Sequence, residues 1–492
     1  MKKWIAAGLI IAGTCGIAWS GDSSLAEAIK SGNRAAALSL LQQKSDVNAA
    51  EPNGTTPLHY AVYREDVDLV ERLVKAGAKA NVKNDFDSTP MSEAAAVGNA
   101  AIIKLLLKAG ADVNSTNHEG QTALMAVART GHVEAAKSLL DAGADINATE
   151  QWGGQSALMW AASQKHPAMV KLLIERGANV NARGVVRDWQ RRITAEPRPK
   201  DLNRGGFTPL LYAAREGCLD CARHLVEGGA DINLPDPDRI TPLVLALMNM
   251  RFDTAAYLIQ AGADLDKWDL YGRSPLYAAV DLSTLPRGGR PDLPATDETT
   301  ALQVIKILLD RGANPNLQLK LRPPYRNVIF DRNSDNAVLT IGATPLLRAS
   351  KAGDNPEAIK LLLQHGALVD LPNVDGISPL MTAAGMGHGG GASRGKFNTE
   401  TDSLAAIPLL LKAGANVNAE ATDGQTAVHA AAQKGWTQVV KLLVENGASP
   451  NAKDKRGRTP LDYAKGNTGG GRGQAQGTAH PETVALLEKL TR

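Results

Sequence analysis

Apolar residues along this chain fall into short stripes that recur in pairs. In one unit, Leu58 and Ala61 belong to the first stripe, and residues 67–74 carry the second, with apolar side chains three or four positions apart. Apolar residues at that spacing share one face of an α-helix. Gly77 and Ala78 close the unit, and a stretch rich in Asn and Asp precedes the next pair of stripes. The pattern predicts an all-α fold of repeated two-helix units joined by tight turns.

The units recur with a regular period. A Thr or Ser heads each unit, and the first three heads are 33 residues apart. The heads are Thr56, Thr89, Thr122, Ser156, Thr208, Thr241, Ser274, Thr344, Ser378, Thr426 and Thr459. The closing glycines are Gly77, Gly110, Gly143, Gly177, Gly229, Gly262, Gly312, Gly366, Gly414 and Gly447. A period of this length indicates a repeat architecture, in which each unit buries its apolar face by stacking on its neighbours.

Each recurring position has a physical reason. The hydroxyl of Thr56 is placed to accept a backbone N–H of the first helical turn. Pro57, at the first helical position, has a preset φ and lacks an N–H that would have no partner there. Gly77 suits the left-handed conformation that often follows a helix. The sequence therefore predicts both the start and the end of each two-helix unit.

The motif Thr-Pro-Leu-His at residues 56–59, repeated with this period, resembles the ankyrin repeat. The resemblance covers nearly all of the chain after residue 22 and implies a solenoid of twelve helix-turn-helix units with β-hairpins between them. We expect one array over residues 24–492. Residues 24–50, which lack the Thr-Pro start and the Gly-Ala end, are predicted to form an N-terminal capping repeat, and residues 454–492 a C-terminal one.

Departures from the regular spacing predict insertions into the array. Two of them enlarge hairpins, and three lie between the two helices of a repeat. They are predicted near residues 183–203, 283–299, 317–341, 387–402 and 466–480. Several are rich in Pro and Gly, which indicates loops. Insertions at these places leave the stacked helices uninterrupted.

The first 20 residues have the composition of a targeting segment. Two lysines precede an apolar run from Ile5 to Ala18, and Ser20 ends a small-residue cleavage pattern. This order is typical of a secretory signal peptide, and the run is too short for a comfortable membrane span. An uncleaved anchor is the alternative, whereas the residues before Cys15 do not form a lipobox. We expect a bacterial protein in the periplasm or secreted, with membrane contact only through this signal.

Composition and charge narrow the choice of partners. The formal net charge is +3, which gives no global electrostatic case for nucleic-acid binding. Aromatic residues make up 4% of the chain, which fits a core of Leu, Ala, Val and Ile. Because a repeat array grows in one dimension, a chain of 492 residues needs no division into separate cores. A monomer is expected.

No set of catalytic residues can be assembled from the sequence. Residues 387–391 resemble the His-Gly-Gly-Gly oxyanion loop of esterases, but the repeats predict no strand-turn-helix to carry a nucleophile. Residues 390–396 fit the start of a phosphate-binding loop, but Phe397 stands where Ser or Thr is needed. The ankyrin resemblance implies that His59 and His429 link neighbouring repeats. We expect no enzyme activity, no cofactor and no metal.

Cys218 and Cys221 are the cysteines outside the predicted signal. Their C-x-x-C spacing opens the second helix of a repeat, where a thiolate would be stabilised, so one interpretation is a redox pair and candidate disulfide. The interpretation that we favour is that both fill ordinary repeat positions, Cys221 that of Ala135 or Val170. A zinc site would need two further ligands, and none are spaced to supply them.

The ankyrin resemblance implies that partners bind the concave face, which hairpin tips and exposed first-helix positions form. By register, the predicted partner-binding residues there are Tyr63, Arg64, Arg129, Trp152, Trp160, Phe207, Tyr212, Arg215 and Tyr271. Those in the enlarged hairpins are Trp189, Arg191, Arg192, Tyr325, Arg326 and Phe330. Aromatic residues and Arg make good binding anchors. For Trp160 and Tyr212, packing between helices is the alternative.

The enlarged hairpin between residues 183 and 204 carries seven basic and three acidic residues. This excess favours an acidic partner, although a solvated loop accounts for it equally well. The sequence as a whole predicts a non-enzymatic protein-binding scaffold. The alternatives are an adaptor or protector of a periplasmic redox enzyme, in which the two cysteines matter, and a secreted effector that binds a host protein.

Overall fold

The computed structural model describes residues 24–187, 205–283, 297–321, 338–352, 355–387, 398–467 and 478–492. All regular elements in these ranges are helices, with two isolated β-bridges, Thr149–Ser156 and Val186–Gly205. The predicted all-α solenoid is confirmed. Among the helices of the described ranges, none combines the length and the apolar character needed to cross a bilayer.

The first twelve helices are α1 (Leu25–Lys30), α2 (Arg34–Gln42), α3 (Pro57–Tyr63), α4 (Val67–Lys75), α5 (Pro90–Val97), α6 (Ala100–Lys108), α7 (Ala123–Thr130), α8 (Val133–Asp141), α9 (Ala157–Ser163), α10 (Pro167–Glu175), α11 (Pro209–Glu216) and α12 (Leu219–Glu227). The others are α13 (Pro242–Met248), α14 (Phe252–Gln260), α15 (Pro275–Ser283), α16 (Ala301–Asp310), α17 (Pro345–Ala352), α18 (Pro356–Gln364), α19 (Pro379–Ala383), α20 (Glu400–Lys412), α21 (Ala427–Lys434), α22 (Thr437–Glu445), α23 (Pro460–Ala464) and α24 (Pro481–Leu490). Each repeat contributes one first helix and one second helix.

The described residues form two compact units. The first comprises the residues up to His118 together with Glu134–Ala144, and the second comprises Glu119–Val133 and the residues from Asp145 onwards. In the first unit, the first helices α1, α3 and α5 pack in succession. In the second unit, the odd-numbered helices from α7 to α23 pack in one layer and the even-numbered helices from α10 to α24 in another. Within each unit, these helices therefore bury their apolar faces against the same element of the next repeat.

The repeat headed by Thr241 shows how the sequence sets the helix ends. The backbone of Thr241 is extended, and its hydroxyl accepts the N–H of Val244 at 3.3 Å, so the helix starts at Pro242. Helix α14 ends at Gln260, and its C-cap Ala261 is followed by Gly262, which has a φ of 93°. Both predicted boundaries are confirmed in this repeat.

Asparagine side chains fix the register of neighbouring repeats. The Nδ2 of Asn81 donates to the carbonyl of Gly110 at 2.8 Å, and its Oδ1 accepts the N–H of Asp112 at 2.7 Å. Asn418 bonds in the same way to Gly447 and Ser449, at 2.9 Å each. The recurring Asn of the connecting stretch thus ties each hairpin to the next closing glycine.

The root of the first enlarged hairpin is closed by backbone and arginine bonds. Val186 and Gly205 form a β-bridge, and Gly184 donates to the carbonyl of Phe207 at 3.0 Å. The guanidinium of Arg183 donates to the carbonyls of Gly206 (2.8 Å) and Pro235 (2.7 Å). Arg183 is one of the seven basic residues of this insertion, but its guanidinium bonds to backbone carbonyls at the base of the hairpin and is not directed at a partner.

Gly262→Val should lower the free energy of unfolding by about 2 kcal/mol, because it forces a β-branched residue into the left-handed region. A Cβ at this position would meet no atom within 4 Å, so the loss reflects backbone strain alone. Urea unfolding followed by circular dichroism measures the loss. Gly262→Asn, which tolerates this conformation better, should lose less. Equal stability of the valine variant and the parent would contradict the assignment of Gly262 as the left-handed residue that closes this repeat.

Candidate functional site

A cleft of about 400 Å³ lies between the first helices of two consecutive repeats in the second unit. Helix α9 follows its cap Ser156 and α11 follows Thr208, and the two helices pack side by side. Trp160 and Tyr212 each come four residues after the cap and are half-buried. The lining residues are Gln155, Trp160, Ser163, Gln164, Lys165, Tyr212, Arg215 and Glu216. The cleft therefore combines two aromatic rings with polar and basic groups.

The ring of Tyr212 is held from two sides. Its hydroxyl accepts a hydrogen bond from Nε2 of Gln155 at 2.5 Å. Its ring lies edge-on to Phe207 with centroids 5.4 Å apart, and Phe207 packs into a core cluster with Leu211 and Leu245. These contacts anchor one wall of the cleft in the core.

Guanidinium groups lie over aromatic rings in five successive repeats of the second unit. The distances from Cζ to the ring centroid are 5.7 Å for Arg129 and Trp160, 4.5 Å for Arg187 and Trp152, 5.1 Å for Arg215 and Tyr212, 5.7 Å for Arg239 and Trp268, and 5.2 Å for Arg273 and Tyr271. We call these ten residues and the cleft lining the arginine-aromatic surface. A guanidinium over an aromatic ring is attracted by the ring quadrupole, and its N–H groups can still donate to a carboxylate.

Two arginines of this surface already bond to a carboxylate within their own repeat. Arg215 donates from Nε to Glu216 at 2.7 Å. Arg273 donates to Asp269, with Nε and Nη2 each 2.6 Å from Oδ2. The side chain of Asp269 is fully buried, so this second pair is part of the hairpin structure. Arg129 and Arg239 are exposed.

Aspartates five residues before a repeat head differ in their counterions. Asp269 and Asp454 are each followed four residues later by an Arg that pairs with them, whereas Asp236 is followed by Ile240. Burial raises the pKa of Asp236 to about 6, helped by the charge of Asp238, although the backbone N–H groups of Ile240 and Asp238 oppose the shift.

The pKa of Asp454 moves in the other direction. Burial by itself would raise it, but hydrogen bonds from the backbone and guanidinium of Arg458, the hydroxyl of Tyr463 and the N–H of Arg456 outweigh that effect and lower it to about 2. The hydroxyl of Tyr463 lies 2.8 Å from Oδ2 of Asp454. Asp454, which is followed by Arg458, is thus stabilised as an anion, whereas Asp236, which is followed by Ile240, is not.

His59 and His429 occupy the head motif and bridge neighbouring repeats. In the first unit, Nε2 of His59 donates to the carbonyl of Ser88 at 3.1 Å, and Nδ1 accepts the N–H of Thr56. In the second unit, Nε2 of His429 donates to the backbone carbonyl of Arg458 at 3.2 Å. Burial lowers the pKa of both rings, which keeps them neutral near pH 7. Both histidines have structural contacts.

Three of the predicted partner-binding residues line the cleft: Trp160, Tyr212 and Arg215. A fourth, Arg129, lies over the ring of Trp160. Trp152 is 74% exposed at a hairpin tip of the same unit, and Tyr271 is half-buried at another. Tyr63 and Arg64 lie in the first unit, where Tyr63 is 66% exposed and the guanidinium of Arg64 donates to the carbonyl of Lys30.

The expected exposure of Phe207 is wrong. This ring is 4% exposed and belongs to the core cluster. The physical reason is local, since Gly205 and Gly206 adopt φ of 75° and 71° directly before it and turn the chain back towards the repeat. Arg215 covers the ring, with Cζ 5.5 Å from its centroid. Phe207 therefore contributes to the cleft indirectly, through its contact with the Tyr212 ring.

Six of the predicted partner-binding residues lie outside the described residues. They are Trp189, Arg191, Arg192, Tyr325, Arg326 and Phe330. The glycine-rich stretch 388–397 lies outside them as well, and with it the sequence Gly-Ala-Ser-Arg-Gly at residues 391–395, which has the residue order of a nucleophile elbow. The first 20 residues, with the predicted signal, are also outside the described part.

Several residues of the surface are not among the predicted partner-binding residues, including Gln155, Lys165, Arg239 and Trp268. The position of Lys165 within its repeat could have been recognised as unusual from the sequence. It stands nine residues after its repeat head, where Gly98, Gly131 and Gly217 stand in other repeats, and it takes a positive φ of 60°. A long side chain kept in that conformation costs about 1 kcal/mol or more, so it marks a position worth testing for function.

The two cysteines closely follow the cleft residue Glu216 in the sequence. Cys218 is the N-cap of α12, and the structure joins it to Cys221 by a disulfide. Cys221 is fully buried, as are Ala135 and Val170 in their own repeats. Over the described ranges, no group of three or more His, Cys, Asp and Glu side chains is arranged to hold a metal ion.

Comparison with protein families agrees with the repeat pattern. The family model "Ankyrin repeats (3 copies)" matches residues 25–117, 91–184, 210–319 and 399–472, and the model "Ankyrin repeat" matches residues 341–374. Together these matches cover well over half of the chain. The chain belongs to the ankyrin-repeat family, whose repeats form protein-protein interaction domains.

Individual relatives match only part of the chain. It is 33% identical over 185 residues to the B-cell lymphoma 3 protein homolog of Mus musculus, which covers 34% of this chain and 38% of that protein. It is 38% identical over 98 residues to the human neurogenic locus notch homolog protein 1, which covers 20% of this chain and 4% of that protein. The chain thus spans less than two fifths of the length of these relatives.

Proposed function

We propose that this protein is a non-enzymatic, monomeric scaffold whose arginine-aromatic surface holds an acidic segment of a partner protein. The observation that carries the proposal is the succession of five arginine-aromatic pairs along consecutive repeats. Aromatic rings and arginines are the side chains most enriched among residues that dominate binding energy. Because Arg129 and Arg239 of this surface are exposed and positive, carboxylates of the partner complement them.

The proposed location is the bacterial cell envelope or the exterior. The composition of the first 20 residues supports export, and an oxidising compartment would preserve the Cys218–Cys221 disulfide. N-terminal sequencing of the protein from its own cells tests this part separately. A mature chain that begins after Ser20 supports export, and an intact N-terminus in the cytosolic fraction contradicts it.

Two narrower roles fit the same surface. The disulfide favours an adaptor or protector of an envelope redox enzyme, and recovery of that enzyme as the bound partner would identify this role. Recovery of the protein outside the producing cells, bound to a host protein, would instead identify a secreted effector.

The binding surface can be tested by site-specific photocrosslinking in producing cells. A photoreactive residue at Ser163, which lines the cleft, should crosslink one partner that contains an acidic segment. Combining it with Trp160→Ala and Arg215→Ala should reduce the crosslinked yield by about 30-fold, since removing a binding anchor costs about 2 kcal/mol or more. The yield should also fall as salt rises, because salt screens the charge pairs.

The second-helix layer offers a matched control. Arg223 lies over Tyr257 with 5.8 Å from Cζ to the centroid, which is the same kind of pair on the other layer of helices. Arg223→Ala with Tyr257→Ala should leave the crosslinked yield unchanged. Equal loss from both pairs of substitutions, or a crosslink that survives the loss of Trp160 and Arg215, would place the site elsewhere.

A further inference from the structure

The turn between α11 and α12 carries a disulfide that closes a single helical turn. Gly217 adopts a φ of 72°, Cys218 caps the nine-residue helix α12, and Cys221 completes the C-x-x-C pair. The N–H of Cys221 also donates to Sγ of Cys218 at 3.3 Å. The bond therefore joins two residues that the helix already holds in place.

Other repeats show that this turn folds without a disulfide. At the same position Asp66, Asn99 and Asn355 cap the second helix, and their side-chain oxygens accept the N–H two or three residues on at 3.0 to 3.2 Å. A disulfide stabilises a fold least when the loop that it closes is short. The Cys218–Cys221 bond thus adds little that an Asp or Asn cap does not supply.

The two sulfurs differ in accessibility and electrostatic surroundings. Cys218 keeps 7% exposure and lies between half-buried Gly217 and Leu219, whereas Cys221 has none. Cys218 occupies the cap position, where Asp66 carries a negative charge in another repeat. A thiolate at Cys218 would be stabilised there by the helix N-terminus and by the N–H of Cys221. Of the two cysteines, Cys218 is the one that keeps any exposure, so it would be the sulfur that an incoming thiolate attacks and the nucleophile in the reduced form.

We propose that Cys218 and Cys221 form a thiol-disulfide exchange site for a dithiol partner. A partner thiolate attacks Sγ of Cys218, the Cys218–Cys221 bond breaks, and Cys221 leaves as a thiolate that takes up a proton. The second partner thiol then attacks the mixed disulfide, loses its proton, and releases Cys218 as a thiolate or thiol. Two electrons pass to this chain, and the partner ends as a disulfide.

The exchange site adjoins the cleft but does not depend on it. Arg215 and Glu216 line the cleft and are followed directly by Gly217 and Cys218. Arg251 packs on Gly217, and its Nε donates to the carbonyl of Arg215 at 3.4 Å. A partner bound at the cleft would thus be close to the disulfide. Failure of the photocrosslinking test would leave the thiol chemistry unaffected, and the reverse also holds.

The test uses single-cysteine variants of the full chain under native conditions. Cys221→Ala should form a mixed disulfide with oxidised glutathione at Cys218, and Cys218→Ala should react at least 100-fold more slowly because Cys221 is buried. Peptide mapping by mass spectrometry separates both sites from Cys15. Equal rates for the two variants, or reaction only after unfolding, would overturn the proposal.

Two further measurements cover the case in which a single variant misfolds. Dithiothreitol should reduce the wild-type disulfide without loss of the far-ultraviolet circular dichroism signal. The double variant Cys218→Asp with Cys221→Ala restores an oxygen cap like that of Asp66 and should melt within about 1 °C of the oxidised parent. In a domain of about 150–250 residues, 1 kcal/mol already shifts the melting temperature by about 2 to 4 °C. Loss of helical signal on reduction, or a much lower melting temperature of the double variant, would make the bond a structural link.

Discussion

Asp454→Ala should lower the free energy of unfolding by about 3 to 5 kcal/mol, the range for removing one partner of a buried ion pair. The carboxylate of Asp454 is 2% exposed and lies 2.7 Å from Nη2 of Arg458. It also accepts the backbone N–H groups of Arg456 and Arg458, at 2.9 and 2.8 Å. Its removal leaves the Arg458 guanidinium and the buried Tyr463 hydroxyl with fewer partners. Urea unfolding followed by circular dichroism measures the loss.

Asp423→Ala serves as the control for this substitution. Asp423 lies in the preceding hairpin and accepts the N–H of Gln425 at 3.0 Å, but its side chain is exposed. Its removal should cost less than about 1 kcal/mol. If the two variants lose equal stability, the buried Asp454 network does not hold the C-terminal repeats together.

The Asp454 contribution should also depend on pH. Its folded-state pKa of about 2 lies below the ordinary value of 3.8, so the ionised form stabilises the fold. This stabilisation is fully present above about pH 5 and is lost as pH falls through 4 towards 2. The difference in unfolding free energy between the parent and Asp454→Asn should shrink over that window. A constant difference down to pH 2 would contradict the assignment.

Asp236→Asn should raise the free energy of unfolding at pH 8, by up to about 3 kcal/mol. The reason is a pKa shift of about two units, each of which corresponds to about 1.4 kcal/mol. The folded-state pKa of Asp236 is raised from 3.8 to about 6, mainly by burial. The folded protein therefore loses stability as pH rises from about 4 through 6. Asn keeps an oxygen that can accept the N–H groups of Asp238 and Ile240, but it carries no charge.

Thermal unfolding at pH 4 and pH 8 tests this prediction. The gain from Asp236→Asn should appear at pH 8 and nearly vanish at pH 4, where the carboxyl of the folded parent is already protonated. Asp264→Asn is the control, because Asp264 is an exposed hairpin aspartate whose carboxylate accepts the N–H of Asp266 at 2.9 Å. A similar gain from the control, or a gain at pH 4, would refute the buried-charge explanation.

Helix boundaries were predictable because local chemistry sets them. Thr241, Pro242 and Gly262 act through capping, a fixed φ and left-handed backbone, all of which are read from neighbouring residues. The side-chain environments were less predictable. Phe207 was expected at an exposed tip, but two preceding glycines turn it into the core, and the sequence pattern does not give that turn. The alternation of Arg and Ile after hairpin aspartates was visible in the sequence, yet its effect on pKa depends on burial.

The surface was predicted in part for a similar reason. Register placed Arg129, Trp160, Tyr212 and Arg215 on exposed first-helix positions. In the structure the last three line one cleft, and Arg129 lies over Trp160. Stacking of Arg239 on Trp268 was not predicted, because it joins the turns of two hairpins 29 residues apart and depends on how those turns lie. The repeat period predicts contacts between neighbouring repeats only where the same residue type recurs. Contacts between residues that occur in one repeat alone, such as Arg239 and Trp268, depend on how the hairpins pack.

The closed root of the first enlarged hairpin has a consequence for how such a protein can change its specificity. Val186 pairs with Gly205, and Arg183 bonds the base of the hairpin to the carbonyl of Pro235 in the next turn. The two ends of the insertion are therefore held at fixed positions close to each other. The entropy of closing a loop grows only slowly with its length. Because the root is closed, the sequence inserted between Arg187 and Gly205 can change in length and composition without any change in the neighbouring repeats, so a new recognition peptide could be grafted there.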